Sequence, residues 1–194
     1  MASAEKLETP VILVAMPQVI DPFFQKTVVL LVHHDEESSL GFILNRPTQI
    51  RLEEILENMK ISWSGDPEAT AFFGGPVQPE LGSILFGATS ADALPDNASD
   101  LMPGLAITQH IGDLEILAAR PPATFRFFLG YAGWGAGQLI DEIVRNDWLT
   151  APADASLLGS RLGEEAWEGV LRSVGVDPAT LPQWSPADHG GEAN

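Results

Sequence analysis

The apolar residues of this chain fall into short runs that end at glycine, proline or polar residues. The longest run, residues 27–32, lies between Lys26 and His33, whereas a helix that crosses a membrane needs about 20 apolar residues in succession. Short runs rich in β-branched side chains are typical of buried strands. Residues 11–15, 27–32 and 40–45 are therefore predicted to form the first three strands, and no membrane contact is predicted.

Helical periodicity and further short runs alternate along the rest of the chain. Apolar side chains recur at helical spacing from Leu52 to Met59 and predict an amphipathic helix over residues ~49–59. The segment Arg46-Pro47-Thr48 before this helix is expected to interrupt the sheet. Further strands are predicted at residues 71–73, 84–86, 105–108, 125–131 and 148–149, and further helices at residues 112–120, 136–146 and 163–174.

Two segments predict irregular structure: residues 87–104 a mobile acidic loop, and residues 133–137 a turn. Strands that come first in a hairpin cluster and later alternate with helices indicate an α+β fold. The length of 194 residues suits one domain. We expect a flexible N-terminus over residues 1–9, a folded domain over residues 10–175, and a proline- and glycine-rich tail, partly disordered, over residues 176–194.

The charge of the chain limits its partners. It carries 10 basic and 27 acidic residues, for a net charge of −17, and residues 61–119 contain no lysine or arginine. Proteins that bind phosphate backbones need clustered cations, so this composition argues against direct nucleic acid binding. The same charge favours solubility and could steer a basic partner, and the ligand or protein partner itself stays unknown. The chain has no cysteine and no signal pattern at its start, and a cytoplasmic location is expected.

Motifs for known chemistry are incomplete or absent in the sequence. A dinucleotide-binding G-x-G-x-x-G that starts at Gly133 would need glycine where Gln138 stands, and no G-K-[ST] or G-x-S-x-G occurs. The adjacent His33 and His34 would point to opposite faces of a strand, which does not suit a metal site. Catalytic residues therefore stay unknown, and neither a cofactor nor a metal is predicted.

Three turns that follow strands carry single polar residues, and together they form the candidate site. They are Asn45-Arg46-Pro47, Gly74-Gly75-Pro76 and residues 133–138. Converging turns would make a small cleft, and without convergence each is a tight turn that serves packing. Asp141 and Glu142 are interpreted as acids that complement a helix dipole. The candidate binding residues are Asn45, Arg46, Gly74, Gly75, Trp134, Gly135 and Gln138.

Four ordered motifs give the chain a resemblance to a known family. They are Met16-Pro17 with Asp21-Pro22-Phe23-Phe24, the stretch from Gly41 to Pro47, Phe73-Gly74-Gly75-Pro76-Val77, and residues 130–139. This pattern resembles the YqgE/AlgH family of bacterial proteins over residues ~10–175. The resemblance implies a one-domain α+β fold with a branched mixed or antiparallel sheet, partly barrel-like and flanked by helices. It implies no activity, although some members carry the label of transcriptional regulator.

One position departs from the family pattern. The residue after Gln138-Leu139 is usually acidic in the family, and here it is Ile140. If this acid belongs to a site that the family members share, Asp141 or Glu142 must replace it here, and both lie at a different angle around the helix axis.

These observations leave three hypotheses about function. The leading one is a cytoplasmic, non-enzymatic protein that binds a small ligand or a protein partner, with an indirect regulatory role. The second is an enzyme of unrecognised type that uses Asn45, Arg46 and an acid near the start of the helix at residues 136–146. The third, direct DNA binding, has the charge of the chain against it.

Overall fold

Ten strands and four α-helices make up the computed structural model, which describes residues 7–88, 94–158 and 162–182. The strands are β1 (Val11–Ala15), β2 (Val28–His34), β3 (Ser38–Ile43), β4 (Pro47–Arg51), β5 (Thr70–Phe73), β6 (Val77–Phe86), β7 (Ser99–Met102), β8 (Leu105–Thr108), β9 (Phe125–Gly135) and β10 (Trp148–Pro152). The α-helices are α1 (Leu52–Asn58), α2 (Ile111–Ala119), α3 (Gln138–Val144) and α4 (Gly163–Ser173). Two short 3₁₀ turns lie at Ala155–Leu158 and Pro178–Thr180.

The long strand β9 is the branch point of the sheet. Its second half pairs antiparallel with β3, its first half pairs antiparallel with β6, and it also pairs in parallel with β5. The order along the main path is β10-β1-β2-β3-β9-β6-β8-β7, and β4 joins through β5. The sheet curls into a half-barrel, and the expected α+β fold with a branched, mixed sheet is confirmed.

The hydrophobic core divides between the two faces of the sheet because side chains alternate along each strand. In β1, Ile12 and Val14 pack beneath α4, whereas Leu13 and Ala15 pack with Leu139 of α3. A third cluster packs α1 and α2 against β6 and β9. None of the helices in the described ranges combines the length and the apolar character that a membrane crossing requires.

Several predicted boundaries are wrong, and each has a local cause. Arg46-Pro47-Thr48 does not interrupt the sheet, because β4 starts at Pro47 on the branch, where only β5 pairs with it. A proline that lacks an N–H is tolerated on such an edge strand. The helix that follows accordingly starts at Leu52 rather than near residue 49.

The glycine-rich segments also differ from the prediction. Residues 133–135 continue β9 instead of turning, because Trp134 and Gly135 pair with Ser39 and Ser38 of β3. Strand β6 begins at Val77 rather than at residue 84. A register shift before Gly82 interrupts the alternation of buried and exposed side chains from which a strand is predicted. Within the predicted loop 87–104, residues 99–102 form β7. Residues 89–93, and the predicted disorder after residue 184, lie outside the described ranges.

The buried carboxylate of Asp113 in α2 is hydrogen-bonded to β8 and to Asn97, which lies just before β7. Thr108 Oγ1 donates to it at 2.6 Å and Asn97 Nδ2 at 3.3 Å, and Asp113 is 2% exposed. Burial raises the pKa of this carboxyl, but hydrogen bonds from Thr108 and Asn97, with the charge of His110, together hold it below its ordinary value of 3.8.

This lowered pKa predicts a specific dependence of stability on pH. Asp113 stabilises the fold above about pH 3.8, and the contribution is lost as the pH falls from there through the folded-state pKa. Asp113→Asn should lower the free energy of unfolding at pH 7 by about 1–2 kcal/mol and flatten the acid side of the stability curve. Urea denaturation across about pH 3–7 measures both effects. If the free energy of unfolding falls equally steeply with decreasing pH in the native protein and in Asp113→Asn, the lowered pKa of Asp113 is wrong.

Candidate functional site

The segment that joins β1 to β2, residues 16–26, is called the strap here because it lies across all three predicted turns. Arg46 holds it through Nη1 to the carbonyl oxygen of Pro22 at 2.6 Å and Nη2 to that of Gln25 at 2.7 Å. The ring of Phe23 stacks on Phe73, next to Gly74, with 5.7 Å between centroids. Phe24 packs on Trp134 in the third predicted turn, so the strap contacts all three segments.

Local sequence chemistry gives the strap its shape. Asp21 accepts the backbone N–H of Phe23 on its side chain at 2.8 Å, and its carbonyl oxygen accepts the N–H of Gln25 at 2.8 Å. Asp-Pro sequences start turns in this way because aspartate bonds the backbone two residues on. The result presents Phe23 on the surface, 46% exposed, and turns Phe24 inward.

Both polar atoms of the Asn45 side chain are hydrogen-bonded to the backbone. Its Oδ1 accepts the N–H of Val28 at 2.9 Å, and its Nδ2 donates to the carbonyl oxygens of Lys26 and Gly163 at 3.0 and 2.8 Å. The residue is 2% exposed. Asn45 therefore joins the end of the strap to the start of α4.

Gly74 and Gly75 let two stretches of backbone touch. A Cβ added at Gly74 would lie 2.2 Å from the carbonyl oxygen of Gly130, and one at Gly75 would lie 2.1 Å from the carbonyl carbon of Tyr131. The N–H of Gly74 donates to Leu129 in β9, and its carbonyl oxygen accepts the N–H of Ile43 at the end of β3. Gly74 therefore connects the ends of two strands.

Trp134 and Gln138 meet at the carboxylate of Glu142. The indole N–H groups of Trp134 and Trp148 both donate to its Oε2 at 2.8 Å, and Gln138 Nε2 donates to its Oε1 at 2.9 Å. The Oε1 of Gln138 accepts the N–H of Gly135 at 3.1 Å. Phe24 of the strap packs on both indoles, with centroid distances of 6.2 and 5.9 Å.

Sequence reasoning missed the role of Glu142 and interpreted it as an acid that complements the helix dipole. Two signals were available. Gln138 and Glu142 lie four residues apart, so they share one helix face, and buried indole N–H groups need an acceptor. Glu142, rather than Asp141, thus stands among the candidate residues, although Ile140 occupies the position that is usually acidic in the resembling family.

Asn45 and Arg46 border one cleft and Trp134 and Gln138 border a separate one, whereas Gly135 borders neither. The first, of about 340 Å³, is lined by Asn45 and Arg46 with Lys26 and Glu164. The second, of about 350 Å³, is called the strap cleft and is lined by Gln18, Val19, Ile20, Asp21, Phe24, Gly133, Trp134, Gln138, Glu142, Asp147 and Trp148. Gly74 and Gly75 line neither of them.

The two clefts differ in the partners of their polar side chains. In the first, Asn45 and Arg46 bond the backbone, and Lys26 pairs with Glu164 at 2.5 Å. Burial lowers the pKa of the Arg46 guanidinium, and the charge of Asp21 partly offsets this. In the strap cleft, Asp21 and Gln138 are exposed at the surface.

The described residues contain no group of three or more histidine, aspartate or glutamate side chains placed to hold a metal ion. His33 and His34 bond neighbours in the hairpin instead: Nε2 of His33 lies 3.0 Å from Asp35, and Nδ1 of His34 lies 2.7 Å from Ser39. Ser39 is 4% exposed, so its hydroxyl is closed to a substrate.

Comparison with known proteins identifies the family. An AlgH-like family model matches residues 12–179. A UPF0301 protein of Burkholderia vietnamiensis is 40% identical over 172 residues, 87% of this chain and 89% of that protein. A UPF0301 protein of Xanthomonas oryzae is 37% identical over 186 residues, 92% of this chain and 97% of that protein.

Solved structures agree with this relationship. The solution structure of the AlgH protein from Pseudomonas aeruginosa is 32% identical, with a TM-score of 0.71 over 97% of this chain and all of that one. A crystal structure of a Corynebacterium diphtheriae protein shares the fold, with a TM-score of 0.72 over 91% of each chain at 24% identity. The chain therefore belongs to the AlgH-like family of UPF0301 proteins.

Proposed function

We propose that this protein is a non-enzymatic binding protein that receives its ligand or protein partner at the strap cleft. A cytoplasmic location and an indirect regulatory role belong to the same proposal. The observation that carries it is the packed aromatic floor of the strap cleft, which the exposed Asp21 and Gln138 border. Asp21 bonds the N–H of Phe23 through Oδ1 alone, whereas Gln138 bonds Glu142 and Gly135 and shapes the cleft.

The floor of the strap cleft favours binding over chemistry. The two indoles and Phe24 pack edge to face, with 5.8 Å between the indole centroids. Glu142 already accepts three hydrogen bonds from this floor, and a carboxylate offers about four acceptor sites. Its bonds therefore hold the two indoles and Gln138 in place.

The charge around the strap cleft favours a partner with positive charge. Three carboxylates, from Asp21, Glu142 and Asp147, line the cleft, and no lysine or arginine lines it, although Arg145 next to the cleft pairs with Asp147 at 2.9 Å. The net charge of −17 for the whole chain attracts such a partner from a distance. We therefore propose a basic protein segment or a small cationic ligand as the occupant.

A titration with defined probes tests the proposal. The probes are an arginine-rich hexapeptide, spermidine and a glutamate-rich hexapeptide, followed through the fluorescence of the tryptophans beneath the cleft. We expect the two cationic probes to bind and the acidic peptide to give no change. The double variant Asp21→Asn, Gln138→Ala should weaken binding by about tenfold, which corresponds to about 1.4 kcal/mol. Asparagine can still accept the N–H of Phe23, so the strap should keep its shape.

Asp66→Asn is the matched control for the loss of charge. Asp66 accepts the N–H of Glu68 at 2.9 Å, as Asp21 accepts that of Phe23, and it lies outside the strap cleft. This control should bind the cationic probes as the native protein does. Equal weakening in both variants would show non-specific attraction to an acidic protein and would reject the strap cleft as the site.

A further inference from the structure

Arg126 carries a buried charge that the proposed function does not use. It lies in the first half of β9 and is 6% exposed. Eight residues of strand separate it from Trp134, which corresponds to roughly 26 Å. The two positions therefore stand at opposite ends of β9, and any role of Arg126 is independent of the strap cleft.

The guanidinium has few partners among the described residues. Nη1 donates to the carbonyl oxygen of Leu44 at 2.6 Å, and the guanidinium carbon lies 4.6 Å from the centroid of the Phe72 ring. None of the five ion pairs in the described ranges includes Arg126. A guanidinium has five N–H donors. Only Nη1 has a partner among the described residues, and neither Nε nor Nη2 is among their fully enclosed atoms that lack one, so both are within reach of the surface.

A buried cation without a counter-charge is uncommon because removing a charge from water is costly unless it is paired. One carbonyl and one aromatic face compensate only part of a full charge. Burial lowers the pKa of Arg126 to about 10, so the group stays protonated at neutral pH. An apolar side chain of similar size would pack among Leu44, Phe72 and Leu85, its neighbour on β6, without this cost.

We propose that Arg126 is the anchor of an anion site that takes the oxyanion of a carboxylate or phosphate group. The guanidinium offers two parallel N–H groups to such an oxyanion, which is the geometry that arginine uses for bidentate recognition. The hydrogen bond to Leu44 and the contact with the ring of Phe72 limit the movement of the guanidinium before the anion arrives.

Thermal unfolding of the full chain in sodium phosphate, sodium acetate and sodium chloride at one ionic strength tests this site. An anion present at ten times its Kd should raise Tm by roughly 3–6 °C relative to chloride. The phosphate and acetate arms show which oxyanion the site prefers. Equal Tm values in all three salts would overturn the proposal.

Two variants connect the effect to Arg126. Arg126→Met should fold with a Tm in chloride close to that of the native protein, since removal of the buried charge offsets the loss of the hydrogen bond to the carbonyl oxygen of Leu44, and it should lose the anion response. Arg126→Lys keeps the charge without the planar fork and should retain only part of the response.

Isothermal titration of phosphate and acetate into native protein and Arg126→Lys gives a second readout that does not depend on unfolding. It applies even if Arg126→Met fails to fold. Weaker binding by the lysine variant supports the site. An anion response that is unchanged in Arg126→Lys and in Arg126→Met would overturn it.

Discussion

Gly75→Ala is expected to lower the free energy of unfolding by about 4 kcal/mol or more, which places it among the most damaging single substitutions. The added Cβ would lie 2.1 Å from the carbonyl carbon of Tyr131 and 2.3 Å from the nitrogen of Ala132. Both are backbone atoms of β9, so relief requires the two chain segments to separate. Gly75 also has a φ of 153°, which side chains rarely adopt. Denaturant unfolding of the soluble fraction measures the loss.

Gly135→Ala is the matched control, since Gly135 is also a candidate residue in a glycine-rich segment. A Cβ there has no atom within 4 Å, so we expect a change within about 0.5 kcal/mol. If Gly75→Ala proves as stable as Gly135→Ala, the backbone of Gly75 does not lie as close to Tyr131 and Ala132 as described. The pair also separates fold from function, because a loss of binding in Gly135→Ala cannot be attributed to a loss of structure.

Asn45→Ala is expected to cost about 3–5 kcal/mol. The substitution removes three hydrogen bonds in a residue that is 2% exposed, and it leaves the N–H of Val28 and the carbonyls of Lys26 and Gly163 without their partner. Each typical bond contributes about 1 kcal/mol, and stranded buried groups add to the cost. Urea denaturation monitored by tryptophan fluorescence measures this loss.

Asn97→Ala provides the comparison for Asn45. The side chain of Asn97 makes one longer bond, 3.3 Å from Nδ2 to Asp113, and its loss should cost no more than about 1 kcal/mol. Asn45→Asp adds a further test. The carboxylate keeps an acceptor for Val28 but meets two carbonyl oxygens without a donor, so this variant should be at least as unstable as Asn45→Ala at pH 7. An Asn45→Asp protein as stable as the native one would reject the hydrogen-bond assignment.

Local sequence patterns predicted the parts of the fold that local physics determines. The runs that become β1 and β2 are apolar enough to require burial, and the polar residues between β2 and β3 fit a hairpin. The parallel contact between β5 and β9 lay beyond this reasoning, because Phe72 and Phe128 meet across more than fifty residues. Strand β6 was predicted too short because a bulge breaks its alternation before Gly82.

The same distinction applies to the candidate site. The three segments were singled out because glycine, proline and asparagine are common where a chain bends, but residues 133–135 of the third remain in β9. The position of the strap against these segments was not predicted. Phe23 and Phe24 are equivalent in sequence, and only the fold shows that Phe23 lies at the surface and that Phe24 packs on Trp134. The structural role of Asn45 was not predicted either, because two of its three hydrogen-bond partners are backbone carbonyls distant along the chain.

The pairing of β1 with β10 has a consequence for biosynthesis. Residues 11–15 leave the ribosome early but meet their outer neighbour only when residues 148–152 have followed. Until then the outer edge of β1 has no partner strand, and such an edge can pair with another chain. Because contacts between distant residues close slowly, the nascent protein should depend on chaperones that shield strand edges until translation of the domain is nearly complete.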